Sequence, residues 1–191
     1  AVISWELVFF LEEPSARVML EGLLPKILPA HIVPRYITFE GKTDLEKNIS
    51  RKLRAWLNPQ TRFVVLRDQD SSSCTDVKNT LVKLCNEAGK ANTLVRVACR
   101  ELESWYIGDL KAVEDGLGLS GLARQQNKSK FRNPDVLNNA YEELSKLTKQ
   151  TYQKVSGSRA IGPHLDKNRN YSKSFQVFVT GIEKVINSSG S

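Results

Sequence analysis

Hydrophobic and polar positions along the first hundred residues alternate between strand-like runs and helix-like stripes. Leu7-Val8-Phe9-Phe10-Leu11 is continuously apolar, a short run that predicts a buried strand over residues 3–11. From Pro14, a residue favoured in the first helical turn, Met19, Leu23 and Ile27 recur on one face with Leu20, Leu24 and Leu28 beside them. Pro25 should kink or end that helix early. A second strand is expected over 35–39. Gly41-Lys42 then turns into a helix capped by Thr43, with Glu46 completing a capping box and Leu45, Ile49, Leu53 and Trp56 forming its stripe. Asn58-Pro59 marks a turn before a third strand, 62–66, whose apolar run is Phe63-Val64-Val65-Leu66. A third helix, 75–88, turns Val77, Leu81, Leu84 and Cys85 inward and stops at Gly89, and a fourth strand follows over 93–98. The order βαβαβαβ predicts an α/β fold with a mainly parallel, Rossmann-like sheet and helices on both faces.

Beyond Asp109 the pattern becomes helical. Asp109 caps a short helix ending near Gly116; Asn133-Pro134 opens another, with Leu137, Tyr141, Leu144 and Leu147 at helical spacing. A last helix over 172–187 carries Phe175, Val179, Ile182 and Ile186. Residues 118–132 and 150–170 read as loop-rich and basic, and 188–191 as a frayed tail. The domain reading is an α/β core over 1–109 and a basic helical extension over 110–191 packed on it as one unit.

Charge sharpens this division. The chain of 191 residues carries a net charge of +7. Residues 1–109 hold 15 basic and 14 acidic side chains, and residues 110–191 hold 13 and 7. A nearly neutral half carrying acidic clusters beside a basic half suits a polyanionic partner such as nucleic acid, because Lys and Arg neutralise phosphates and displace counterions; a solvated surface that keeps the protein soluble is the plainer reading. No apolar stretch reaches membrane-spanning length, and the N-terminus lacks the basic start and cleavage site of a secretory signal. Three cysteines without close spacing argue against a disulfide framework or a zinc ribbon. Cytosolic residence is the expectation.

The candidate chemistry sits at strand ends. Glu12-Glu13 closes the first apolar run and Asp68-Gln69-Asp70 closes the third. Open α/β sheets bind ligands beyond the carboxyl ends of their strands, and gathered carboxylates repel one another unless a hard cation such as Mg²⁺ or Mn²⁺ joins them. Asp68 and Asp70 are the metal candidates; the alternative is a turn in which Asp70 caps the next helix. Glu12 and Glu13 are the acid/base candidates, since a glutamate desolvated among carboxylates has a raised pKa; the alternative is attraction to the positive end of the helix at Pro14. Glu101 and Glu103 are further metal-ligand candidates, or surface glutamates at a helix start. Trp105 and Tyr106 read as core or lid packing. Lys42, Lys78, Arg169 and Lys173 are phosphate-contact candidates, the last two just before a helix whose amides can hold an anion; the alternative is that Ser172 serves that helix only as its cap. Gly41-Lys42-Thr43 lacks the upstream glycine of a P-loop, and His31, His164 and the cysteines show no nucleophilic pattern.

These residues resemble a known family. A glutamate after strand one and Asp-x-Asp after strand three look like the Toprim domain of topoisomerases, primases and overcoming-lysogenization-defect nucleases. The wider pattern resembles an uncharacterised bacterial Toprim-like family, the domain-of-unknown-function 4276 type, often encoded beside an AAA/SMC-like ATPase. Glu12-Glu13-Pro14-Ser15, Gly41-Lys42, Asp68-Gln69-Asp70 with Cys74 and Lys78, Glu101-Leu102-Glu103-Ser104-Trp105 with Asp109, and Ser172-Lys173-Ser174-Phe175 carry the likeness. The resemblance implies Glu12 as general acid/base, Asp68 and Asp70 as Mg²⁺ ligands, and a nuclease in a phage-defence module with an ATPase partner. Toprim domains usually place Gly after their glutamate, where this chain has Glu13, so either glutamate fits the catalytic role. Two other readings stand beside it: a receiver-like phospho-acceptor domain, which requires a fifth strand followed by Lys, and a non-catalytic subunit that binds nucleic acid or a partner.

Overall fold

Every side chain from Leu7 to Leu11 is fully buried, because strand β1 (Trp5–Leu11) runs through the middle of a sheet covered on both faces. The computed structural model describes residues 2–188. Among them the sheet has four parallel strands, with β2 (Ile32–Thr38), β3 (Arg62–Asp68) and β4 (Leu94–Ala98) completing the order β2-β1-β3-β4. Leu11 lies opposite Thr38 on one side and Leu66 on the other, and Asp68 lies opposite Ala98. Pro34, which cannot donate to the ladder, is accommodated because β2 is an edge strand.

Alternate residues of the central strands feed two cores. Val8, Phe10, Phe63, Val65, Val95 and Val97 pack with Leu45, Ile49 and Leu53 of α2 (Lys42–Arg54) and Val77, Leu81 and Cys85 of α3 (Cys74–Glu87). Leu7, Phe9, Leu11, Val64 and Leu66 face the other way, onto Met19 and Leu20 of α1 (Pro14–Leu23) and the helical second half of the chain. That half comprises α4 (Leu102–Ile107), α5 (Leu110–Leu117), α6 (Ser129–Arg132), α7 (Ala140–Leu147), α8 (Lys154–Ile161) and α9 (Lys173–Ser188). Its Trp105, Tyr106, Phe175 and Phe178 are fully buried in the same cluster as Phe9. Each such side chain stabilises the fold by roughly 1.5–3 kcal/mol. With α1 on one face and α2 and α3 on the other, chain progression reverses direction between β1 and β3. The crevice beyond their carboxyl ends is thus a topological switch point.

Several local expectations need correction. Thr43 does not cap α2: the helix starts two residues earlier than such a cap would set, after Gly41 at φ +99°. The Asp44 carboxylate accepts the Glu40 amide at 2.8 Å instead, and Glu46 pairs with Arg67, so no capping box forms. Asn133-Pro134 opens only a 3₁₀ turn, Pro134–Val136, and α7 starts at Ala140. Residues 118–132 contain a 3₁₀ turn, Ala123–Asn127, and α6. Residues 150–170, expected as loop, contain α8. The glycine that caps its C-terminus serves close packing: a methyl group on Gly162 would stand 2.5 Å from the Met19 carbonyl oxygen. Ser188 ends α9, and the rest of the tail expected to fray lies outside the described residues. Among the described residues no helix is long and apolar enough to cross a membrane.

Candidate functional site

The ends of β1 and β3 are tied together by a carboxylate. Glu12, one residue past β1, accepts the Asp68 amide at 2.8 Å through Oε2, and its own carbonyl accepts the Gly41 amide at 3.0 Å. Glu13 goes the other way. It takes the N-cap position of α1 and accepts the Ser15 hydroxyl at 2.9 Å. The attraction of acid to a helix start therefore accounts for Glu13 and leaves Glu12 at the strand junction.

Asp68 ends β3 without a partner: among the described residues no donor or cation lies against its carboxylate. Burial, then the charges of Glu12, Glu103, Glu13 and Asp70, push its pKa well above the usual aspartate range. Glu12 is raised too, by burial first and then by Asp70 and Glu13, against the Asp68 amide and Arg67. Arg67, only 3% exposed, forms an ion pair of 2.5 Å with Glu46 and donates to the Asp68 carbonyl at 3.1 Å, which fixes the strand end.

Asp70 does not cap the next helix. Ser73 does so, accepting the Asp76 amide at 3.4 Å. Asp70 occupies the left-handed region, at φ 57°, which aspartate tolerates. Its amide donates to the Arg100 carbonyl at 3.0 Å, and its carboxylate lies 3.5 Å from Lys42 Nζ. Lys42, a phosphate candidate in the sequence, is thus beside the acidic cluster.

Glu101 and Glu103 follow β4 but are engaged elsewhere. Glu101 accepts the Tyr141 amide at 2.6 Å, at the start of α7. Glu103 is buried on the Tyr152 hydroxyl at 2.9 Å. Burial, then the Glu101 charge, push Glu103 up to about 7. Both are within electrostatic reach of the strand ends, Glu101 of Asp70 and Glu103 of Asp68.

The remaining phosphate candidates are not gathered here. Arg169 forks onto the fully buried Asp109, with Nε 2.7 Å from Oδ1 and Nη2 3.3 Å from Oδ2, and also donates to the His164 carbonyl. Lys78 and Lys173 line a separate groove between α3 and α9. The start of α9, expected to hold an anion, holds the chain's own: Asp135 accepts the Ser172 hydroxyl at 2.6 Å and the Ser174 amide at 2.9 Å. Ser172 in turn accepts the Phe175 amide, so its capping role is real.

Sequence reasoning missed Lys154. It begins α8, inside the segment expected as loop, with its ammonium over the Tyr141 ring. Burial works against its charge, but Glu103, Glu13, Asp68 and Glu101 together hold it above the usual lysine range. Only the basic character of residues 150–170 signalled it.

Among the described residues no three acidic, histidine or cysteine side chains already converge as a complete ligand set, because Glu12, Glu13, Asp70, Glu101 and Glu103 are each turned onto a local donor. The donor chemistry nevertheless fits a hard divalent cation. Asp68 offers unpartnered oxygens in a field of four other carboxylates, the all-oxygen donor chemistry that such an ion takes.

The model of the family described as domain of unknown function DUF4276 matches residues 11–183, and the chain belongs to that family. No curated protein matches it. Among solved structures it is similar to the C-terminal region of the Burkholderia pseudomallei OLD protein, at 16% identity and a TM-score of 0.50 over 97% of this chain and 98% of that one. At that identity the likeness concerns the fold.

Proposed function

We propose that this DUF4276 protein is a Toprim-type hydrolase of nucleic-acid phosphodiesters that depends on Mg²⁺ or Mn²⁺. The observation that carries the reading is the unpartnered Asp68 carboxylate at the β1–β3 switch point, surrounded by Glu12, Glu13, Asp70 and Glu103. Asp68 and Asp70 would hold the cation, with Glu12 beside them, and when bound it supplies Lewis-acid stabilisation to a phosphodiester. Glu12, its pKa raised and one oxygen fixed on the Asp68 amide, exchanges a proton through its other oxygen. Lys42 and Lys154 bring positive charge to the rim of this acidic site, where it attracts and orients phosphate oxygens. The resemblance to the Toprim-bearing overcoming-lysogenization-defect nucleases, together with the OLD-like fold, supports the assignment. It extends to an AAA/SMC-like ATPase partner and a role in phage defence.

A second reading, a binding subunit without catalysis, is favoured by one observation: every carboxylate of the site except Asp68 already has a donor. One assay separates the two. Plasmid, linear DNA and RNA are incubated with the protein in Mg²⁺, Mn²⁺ or EDTA, alone and with an ATPase of the AAA/SMC type. Hydrolysis requires metal-dependent cleavage that an Asp68→Ala/Asp70→Ala variant loses. Binding without cleavage, unchanged in that variant under every condition, selects the second reading.

A further inference from the structure

Cys74 and Cys99 are 25 positions apart in the sequence, yet their sulfurs are 3.1 Å apart in the fold, both as free thiols. We propose that they form a redox-active dithiol that a hydroperoxide oxidises to an intramolecular disulfide. This goes beyond the hydrolase reading and does not rest on it.

Two features make the pair more than a chance contact. First, both thiols are part-exposed and line one surface groove, flanked by Lys78, Arg96 and Lys173, with Asp135 as its acidic member. A small oxidant therefore reaches them. Second, each sulfur is anchored by its backbone. Cys74 is the first residue of α3, behind the Ser73 cap. The Cys99 amide donates to Ser174 Oγ at 3.0 Å. The sulfurs need to approach by roughly 1 Å to reach a bond of about 2.05 Å. Cys85, by contrast, is 1% exposed within the core beneath α3.

In the chemistry that follows, the Cys74 thiolate attacks one peroxide oxygen. The O–O bond breaks, the leaving oxygen takes a proton and departs as water from hydrogen peroxide or as an alcohol from an alkyl hydroperoxide, and Cys74 becomes a sulfenic acid. Cys99 sulfur then attacks Cys74 sulfur. The S–O bond breaks, the S–S bond forms, and the hydroxide leaves as water with the Cys99 proton. Two thiols are oxidised, one peroxide is reduced, and a dithiol reductant reverses the change. The bond would tie the start of α3, just after the Asp70 turn, to the segment that follows β4, where the Arg100 carbonyl already holds the Asp70 amide.

The test is a peptide map of the reduced protein treated with hydrogen peroxide, blocked with N-ethylmaleimide and digested without reductant. The expected result is a loss of two hydrogens, a cross-link joining the Cys74 and Cys99 peptides within one chain, and its disappearance on adding dithiothreitol. Cys85→Ser should keep the link, and Cys74→Ser and Cys99→Ser should each lose it. A link through Cys85, a link between chains, or Cys74 and Cys99 both still alkylated at peroxide levels that oxidise free dithiothreitol overturns the proposal. The wild-type map decides even where a serine variant fails to fold.

Discussion

Replacing Glu103 by Gln probes the electrostatics of the acidic site apart from any ligand. Glu103 is 1% exposed. Burial first, then the Glu101 charge, move its pKa from the ordinary 4.5 to about 7, despite the opposing charge of Lys154. The folded chain thus holds this proton more tightly than the unfolded chain does. Its contribution to stability is full below pH 4.5 and is lost as the pH rises through about 7. That interval corresponds to about 3 kcal/mol. Gln keeps an oxygen to accept the Tyr152 hydroxyl but cannot ionise, so the loss disappears. Urea unfolding of both proteins in EDTA, from about pH 4.5 to about pH 8, reads the effect. The stability of Glu103→Gln relative to the parent should rise by about 3 kcal/mol across that range. A difference that stays flat with pH would refute the reasoning, because Glu103 would then hold the same proton in both states.

Three further outcomes follow from other parts of the molecule. Asp68→Asn relieves repulsion with four carboxylates, so it should stabilise the metal-free protein at neutral pH by on the order of 1 kcal/mol, and Mg²⁺ should raise the Tm of the parent but not of the variant; calorimetry with and without Mg²⁺ reads both. Arg169→Ala leaves Asp109, fully buried, with only its amide donors. It should cost about 2 kcal/mol in urea unfolding, less than for a fully buried pair because Arg169 is 41% exposed. A purely phosphate-binding role would leave stability unchanged. Gly162→Ala drives a methyl group against the Met19 carbonyl and should destabilise by about 1–3 kcal/mol, whereas a loop at this position would tolerate it.

The sheet was legible because β1 and β3 are buried on both faces, so their apolar runs need no partner to be recognised. The acidic strand ends were legible for the same reason: they are where those runs stop. Legibility failed where a distant segment sets the local structure. Gly157 and Ser158 lower helix propensity, yet α8 forms because Gly157 lies against the Tyr152 ring and Ser158 accepts the Tyr106 hydroxyl. Lys154 reaches the carboxylates only through that helix. Arg169 read as a phosphate contact because nothing nearby in sequence shows that Asp109 awaits it. The anion at the start of α9 comes from Asp135, 39 positions before the Ser174 amide it accepts. The Thr43 box failed because Glu46 is drawn to the buried Arg67 of β3.

Mn²⁺ titration followed by electron paramagnetic resonance tests the cation reading most directly, since the free ion gives the signal and bound ion removes it. Parent protein should deplete free Mn²⁺ saturably, with Mg²⁺ competing, and Asp68→Ala/Asp70→Ala should leave the signal at the level of buffer alone. Equal depletion by parent and variant, or none by either, would contradict a metal centre built on the ends of β1 and β3.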